Sequence, residues 1–295
     1  MAIAGTGERF ARVGEIELAY ETFGDPGDPA VLLIMGLGSQ MILWPEELCE
    51  DLAGRGYFVI RFDNRDVGRS TVLEDMTPPD LRRVATGEVA APYVLERMAE
   101  DAVGLLDELG IERAHVVGAS LGGMIAQRAA IDHPGRVVSL ASIMSTTGDR
   151  GVGQPTPEAM TVLMTAPPTN RDGYVESTVR ARSVIGSRPI DEGRTRDLAA
   201  RSYDRGYHPE GTARQFAAIV ASPDRTPQLR ELATPTVVLH GSEDALIDVS
   251  GGEATAAAIP DAELVVIDGM GHDLPLWALD RIADALVGNF ERAPA

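Results

Sequence analysis

The sequence predicts an α/β fold: a mostly parallel, eight-stranded sheet flanked by helices, with a helical block inserted late in it. Three observations predict it. Short β-branched runs alternate with segments of helical spacing at both ends of the chain. Runs such as AVLLIM at residues 30–35 are apolar without interruption, as strands covered on both faces must be. From Gly148 to Ser222 no such run occurs, and helical pieces broken by Pro and Gly take over. The expected division is a core of residues 1–146 and 226–295 around a helical cap of 147–225.

In chain order, Phe10–Val13 and Ile16–Phe23 alternate around Gly14-Glu15, which is a hairpin pattern. Asp25-Pro26-Gly27-Asp28-Pro29 is a turn cluster. The strand at 30–35 leads into Gly36-Leu37-Gly38-Ser39. Trp44–Arg55 has helical spacing, Tyr57–Phe62 is the next buried strand, and Asp63–Ser70 is a turn. Residues 71–91, with Pro78-Pro79 and scattered charges, read as a loop with one short helix at most. Leu95, Met98, Val103, Leu106 and Leu109 mark a helix over Tyr93–Leu109, which Gly110 ends. His115–Val117 is a brief strand, residues 118–122 a tight turn, Gly123–Ala130 a helix and Val137–Met144 a strand. Inserted helices are expected at Glu158–Met164, Gly173–Val184, Glu192–Tyr203 and Thr212–Ala221. Thr236–His240 resumes the sheet, followed by a helix at Gly252–Ile259, a strand at Glu263–Asp268 and a helix at Trp277–Phe290.

Composition narrows the function. Lys+Arg 26 against Asp+Glu 45 gives a formal charge of −19. Such a surface repels phosphate backbones and anionic bilayers, so neither nucleic acid nor membrane is an expected partner. Every basic residue is Arg; there is no lysine for a Schiff base or a P-loop. Cys49 is the single cysteine, so no internal disulfide and no thiolate zinc cluster is expected. No apolar leader or spanning run stands out, and the expected location is cytoplasmic. No metal and no cofactor is expected. Oligomeric state is not legible.

The chemistry starts at Gly118-Ala119-Ser120-Leu121-Gly122. This is G-x-S-x-G between a strand and a helix, a turn that lifts a serine above the sheet. With 31 glycines in the chain the pentapeptide alone is a weak signal, so its partners decide. A serine hydroxyl needs a base, and the base needs a group that fixes its tautomer. Of five histidines, His115 begins a strand, His133 ends a helix, His208 lies in the cap and His240 closes a buried strand. His272 sits in a glycine-rich loop after the last strand, over the edge where ligands bind in open α/β sheets. It is the expected base. The acid should follow an intervening strand. Asp244 is the expected residue, with Glu243 and Asp248 as alternatives. The expected oxyanion donors are the N–H groups of Leu121, after the nucleophile, and Leu37, in the glycine loop. Gly36-x-Gly38 lacks a third glycine at Met41, so it is not a dinucleotide fingerprint.

MGLGSQMILWPEEL, FDNRDVGRST, GASLGG, PTVVLHGSEDALI and GMGH together resemble the α/β-hydrolase superfamily, over nearly the whole chain. Within it they are similar to the actinobacterial group that includes aclacinomycin-type methylesterases. The resemblance implies a Ser/Asp/His esterase with a helical cap over an apolar pocket. Three positions depart from the common pattern. Met35 stands where many members have His, Asp66 where many have Gly, and Asp248 where many have Pro. Relatives that act through an alkyl-enzyme carry aspartate at the Ser120 position; serine points to acyl chemistry.

The expected function is hydrolysis of a carboxylic ester of a small to medium apolar molecule through an acyl-enzyme. The rival enzymatic readings are a C–C bond hydrolase or lactonase with the same triad. The non-enzymatic one is a degenerate hydrolase serving as a ligand receptor. Pocket residues are the least legible. Gly38, Met41 and Trp44 near the glycine loop are pocket wall or core. Met160, Leu163, Met164, Phe216 and Ile219 in the cap have a spacing that suits either a pocket or packing onto the sheet.

Overall fold

The computed structural model describes residues 5–293. Eight strands form one sheet: β1 (Arg9–Val13), β2 (Ile16–Phe23), β3 (Ala30–Ile34), β4 (Phe58–Phe62), β5 (Ala114–Ala119), β6 (Val137–Ile143), β7 (Thr236–Gly241) and β8 (Glu263–Ile267). Their order is β1-β2-β4-β3-β5-β6-β7-β8. The β1–β2 and β2–β4 pairs are antiparallel and the remaining pairs parallel. Among the described residues eleven α-helices accompany them: α1 (Glu46–Gly54), α2 (Leu81–Ala85), α3 (Leu95–Glu108), α4 (Leu121–Asp132), α5 (Pro157–Leu163), α6 (Arg171–Ile185), α7 (Glu192–Arg205), α8 (Pro209–Ala221), α9 (Thr226–Leu229), α10 (Ser250–Ala258) and α11 (Leu279–Glu291).

Alternation along each strand divides the core in two. On β3, Leu32 and Ile34 join Leu95, Met98, Leu105 and Ile125 of α3 and α4. Val31 and Leu33 point the other way, to Leu48 and Leu52 of α1 and Ile282 and Leu286 of α11. Both faces are covered, which is why β3 and β5 are buried along their whole length. Cys49 lies within the second cluster, and burial pushes its thiol up to about 12.

The elements follow the sequence closely, with shifts at their ends. β5 extends through Ala119 because it pairs with β3 on one side and β6 on the other. The helix expected from Trp44 begins at Glu46, after a 3₁₀ turn over Met41–Leu43 and Pro45. The last helix begins at Leu279, after a similar turn at Leu276–Ala278. Gly110 ends α3 as expected: it takes φ +70°, and the Ile111 N–H reaches back to the Leu106 carbonyl at 2.8 Å. The short α9 has no counterpart in the sequence reading.

Five helices, α5–α9, lie between β6 and β7. They differ in how deeply they are seated. α6 has no buried residue, whereas Arg214, Gln215, Ala217 and Ala218 of α8 are buried. α8 is fastened by an ion pair with no exposed atoms on either side chain. Arg214 donates to both Asp66 oxygens, at 2.9 and 2.7 Å. The Tyr93 hydroxyl and the Leu73 N–H donate to the same carboxylate, and Arg214 also reaches the Met76 carbonyl at 2.7 Å. Burial alone would raise the Asp66 carboxyl. Arg214, Leu73 and Tyr93 outweigh it and hold the group below its ordinary range. Asp66 sits at φ +69°, a conformation that glycine adopts freely and aspartate tolerates.

Replacing Arg214 alone would leave a buried carboxylate without its counter-charge. Arg214→Met is expected to cost about 3–5 kcal/mol of stability, measured by urea unfolding. Adding Asp66→Asn should recover part of the loss. A single variant as stable as the parent would show that the pair does not anchor α8.

Candidate active site

The strand ends set the site. In register, Ile34 pairs with Gly118, Ala119 with Ile143 and Gly241 with Ile267. The loops after β3, β5, β7 and β8 therefore emerge along one edge of the sheet, which is where Gly36–Ser39, Ser120, Asp244 and His272 lie.

Ser120 occupies the tight bend between β5 and α4. It adopts φ +56° and ψ −121°, outside the regions a side chain prefers. Its neighbours must be small. A Cβ on Gly118 would fall 2.0 Å from the Gly122 carbonyl oxygen, and one on Gly122 would fall 1.9 Å from that of Ile34. The bend is held by hydrogen bonds: Ser120 N–H to the Ile143 carbonyl at 2.9 Å, and Ser145 Oγ to the Ser120 carbonyl at 2.8 Å.

The three polar side chains expected to act together form one row. His272 Nε2 lies 3.0 Å from Ser120 Oγ, and His272 Nδ1 lies 2.7 Å from Asp244 Oδ2. The other Asp244 oxygen accepts the Leu246 and Ile247 N–H groups, both at 2.9 Å. Those two bonds aim the carboxylate and leave Oδ2 for the imidazole. Burial pushes the Asp244 carboxyl up, but the charge of His272, hydrogen bonds from His240 and His272 and the Ile247 N–H pull it well below the ordinary carboxylate range. Of the alternatives, Asp248 turns to the Ser250 N–H at 3.0 Å, and Glu243 is exposed.

The loop bearing His272 is fixed from α6. His272 N–H donates to the Ile185 carbonyl at 2.6 Å, and Gly271 N–H to Ser187 Oγ at 2.9 Å. Ser187 in turn donates to Asp273 through Oγ at 2.5 Å and N–H at 2.9 Å. Ser187 and Asp273 were not legible as parts of the site, because nothing local relates residues 86 positions apart.

The glycine loop lies beside the serine. A Cβ on Gly36 would stand 3.1 Å from Ser120 Cβ. Ser39 N–H closes the turn on the Gly36 carbonyl at 3.1 Å, with Gly38 at φ +62°. Among the described residues, neither the Leu37 nor the Leu121 N–H donates to a protein acceptor.

The remaining histidines are accounted for. His115 is buried, with Nδ1 2.8 Å from Ser139 Oγ and its ring 4.4 Å from that of Phe290, and burial lowers it to about 4. His133 caps the end of α4. His208 precedes α8 and lies 3.0 Å from the Gly68 carbonyl. His240 is fully buried, with Nε2 2.7 Å from the Ile247 carbonyl and 3.5 Å from Asp244 Oδ2.

The candidate pocket residues lie in different surroundings. Trp44 is fully buried in the core beside Leu48 and Met35, and so packs the sheet. Met41 is likewise 1% exposed. Met164 stands out in solvent, 61% exposed, and Met160 is 42% exposed. Helical spacing shows that one face of α5 differs from the other, but not which face meets the sheet. Gly38 meets Thr212 of α8, Phe216 and Leu163 are half-buried, and Ile219 packs onto the first core cluster. A cavity of about 330 Å³ is lined, among others, by Ile42, Leu43, Tyr174, Leu198, Asp273 and Trp277. Among the described residues no group of three or more His, Cys, Asp or Glu is placed to hold a metal ion, and no helix is long and apolar enough to cross a membrane.

The comparisons with known proteins agree with this architecture. The chain is 29% identical to rhodomycin D methylesterase DauP of Streptomyces sp. (strain C5), over 95% of this chain and 96% of that one. It is 31% identical to a 2-hydroxymuconate semialdehyde hydrolase of Pseudomonas putida, over 75% and 78%. Among solved structures, the 2-hydroxy-6-oxo-6-phenylhexa-2,4-dienoate hydrolase of Rhodococcus sp. strain RHA1 superposes with a TM-score of 0.76 at 23% identity, covering 98% of this chain and 99% of that one; this likeness speaks for the fold. The model of the α/β-hydrolase fold family matches residues 29–279. With the strand order, the serine bend and this match in agreement, the chain belongs to the α/β-hydrolase fold family.

Proposed function

We propose that the protein is a serine esterase that cleaves a carboxylic ester, a methyl ester among the candidates, of a small to medium apolar substrate. The observation that carries this reading is the row Ser120 Oγ–His272–Asp244, with links of 3.0 and 2.7 Å. The likeness to a methylesterase over nearly the full length supports the ester as substrate class.

In this reading Ser120 Oγ attacks the ester carbonyl while His272 Nε2 takes its proton. Asp244, aimed by two backbone N–H groups, holds the Nδ1–H tautomer and stabilises the imidazolium. The oxyanion settles on the Leu37 and Leu121 N–H groups, which have no other protein acceptor among the described residues. His272 returns the proton to the departing alcohol. Water, deprotonated by the same imidazole, then releases the acid and restores Ser120.

A second reading is C–C bond hydrolysis of a diketone-like substrate by the same residues, which the relative from Pseudomonas putida favours. Turnover of such a diketone against simple methyl and p-nitrophenyl esters separates the two.

Ser120→Ala is expected to lower kcat by about a million-fold on p-nitrophenyl butyrate and to abolish labelling by a fluorophosphonate. Retention of most of the activity would overturn the serine mechanism. Asp244→Asn is expected to lower kcat on the order of ten-thousand-fold by favouring the wrong tautomer.

Asp244 also links stability to pH. Its carboxyl is depressed in the folded state, so the unfolded chain takes up that proton first as pH falls. The contribution is fully present above about pH 4 and is lost as pH drops toward the folded value. The stability gap between parent and Asp244→Asn, read from urea unfolding, should therefore be wider at pH 7 than at pH 3. A gap that does not narrow would mean that Asp244 is not held ionised.

A further inference from the structure

The glycine loop after β3 is held by a side chain from the inserted helices. Gln215 of α8 is fully buried. Its Oε1 accepts the Gly38 N–H at 2.8 Å, and its Nε2 donates to the Arg65 carbonyl at 2.8 Å. The orientation of this amide is unambiguous. Gly38 N–H can only donate and the Arg65 carbonyl can only accept, so a flipped amide would set donor against donor and acceptor against acceptor.

Both ends of the bridge are fixed. Arg65 is itself locked to buried Asp101 by bonds of 2.5 and 2.6 Å. The residue before Gln215 is Arg214, whose buried pair with Asp66 seats α8. Contact with the loop is close: a Cβ on Gly38 would lie 2.6 Å from Thr212 Oγ1, one turn earlier on the same helix. The turn Gly36–Ser39 is thus clasped between the sheet edge and α8.

We infer that Gln215 is a positioning residue for the reaction: by engaging the Gly38 N–H it fixes the turn so that the neighbouring Leu37 N–H stays free and directed at the developing oxyanion. The inference rests on the oxyanion role of Leu37 proposed above. Its consequence is specific. A donor displaced by a fraction of an ångström weakens the hydrogen bond that strengthens as charge develops, while binding of the neutral ester hardly depends on it. A merely structural glutamine would lower the fraction of folded protein and leave the rate per working site alone.

The test is Gln215→Met, which keeps the buried volume and removes both hydrogen bonds. kcat and kcat/KM on p-nitrophenyl butyrate are measured per active site, titrated with a fluorophosphonate. Inhibition by a trifluoromethyl ketone, which presents an oxyanion, is compared with inhibition by butyrate, the product acid. The expected result is a fall of about ten- to a hundred-fold in kcat and kcat/KM together, as for other small displacements of catalytic groups. The ketone should weaken by a similar factor and the acid should not. Unchanged kcat per titrated site and unchanged ketone affinity would overturn the inference, whatever happens to thermal stability. Should the methionine variant fail to fold, Gln215→Asn carries the same expected and overturning results, because it is one methylene too short to bridge both groups. The failures are distinguishable. Persistence of activity in Ser120→Ala sinks the esterase reading and this inference together. A Ser120-dependent parent with an unchanged Gln215 variant sinks the inference alone.

Discussion

Three backbones converge at Ser120 where no side chain fits between them. The carbonyls of Ile34 and Gly122 come so near the α-carbons of Gly122 and Gly118 that any Cβ there would overlap them. This convergence sets the serine bend, the approach of the glycine loop and the packing of α4 against the sheet at once. The positive φ of Ser120 is a local cost, of order 1–3 kcal/mol for such a residue. The bonds to Ile143 and Ser145 and the helix that starts at Leu121 over-determine it. Strain is retained at the one position where exposing an Oγ at the sheet edge requires it.

From that bend outward, the site is held by polar contacts of long sequence range. The loop bearing His272 hangs on the end of α6 through Ile185 and Ser187. The glycine loop hangs on α8 through Gln215. α8 in turn is fixed by Asp66 and Arg214, both without exposure. The inserted helices are therefore part of the scaffold that holds these two loops. Buried polar groups suit this task, since each has one satisfactory arrangement and a large penalty for losing it. Apolar packing alone tolerates sliding.

What was legible in the sequence was what is local. The glycines at 36, 38, 118 and 122 and the β-branched runs carry their signal within a few residues, and Ser120, Asp244 and His272 each stand in a short turn after a strand. Asp244 could be separated from Glu243 and Asp248 only in part, because all three lie in one loop and only the backbone turn decides which carboxylate meets the imidazole. Gln215, Ser187 and Asp273 were invisible for a physical reason. Gln215 meets Gly38 across 177 positions, and a single glutamine in an amphipathic helix looks like any solvated one. Pocket residues were the least legible for a related reason: spacing gives a stripe but not its partner, and of the candidates Trp44 lies in the core while Met164 stands in solvent.

Asp66 shows how a departure from a common pattern becomes informative once its geometry is known. The position requires a left-handed backbone, which explains glycine in many relatives of the turn. An aspartate there meets the same backbone need and adds a carboxylate to the buried space under α8, where Arg214 supplies the matching charge. Arg214 adjoins Gln215 and Asp66 adjoins Arg65, the two residues of the bridge to the glycine loop. Asp66 thus belongs to the same clasp that holds the glycine loop. By contrast, α6 contributes no buried residue and α5 only Ala159. Most of α5 and α6 is therefore unburied, and the part that reaches the site is the end of α6, where Ile185 and Ser187 hold the His272 loop.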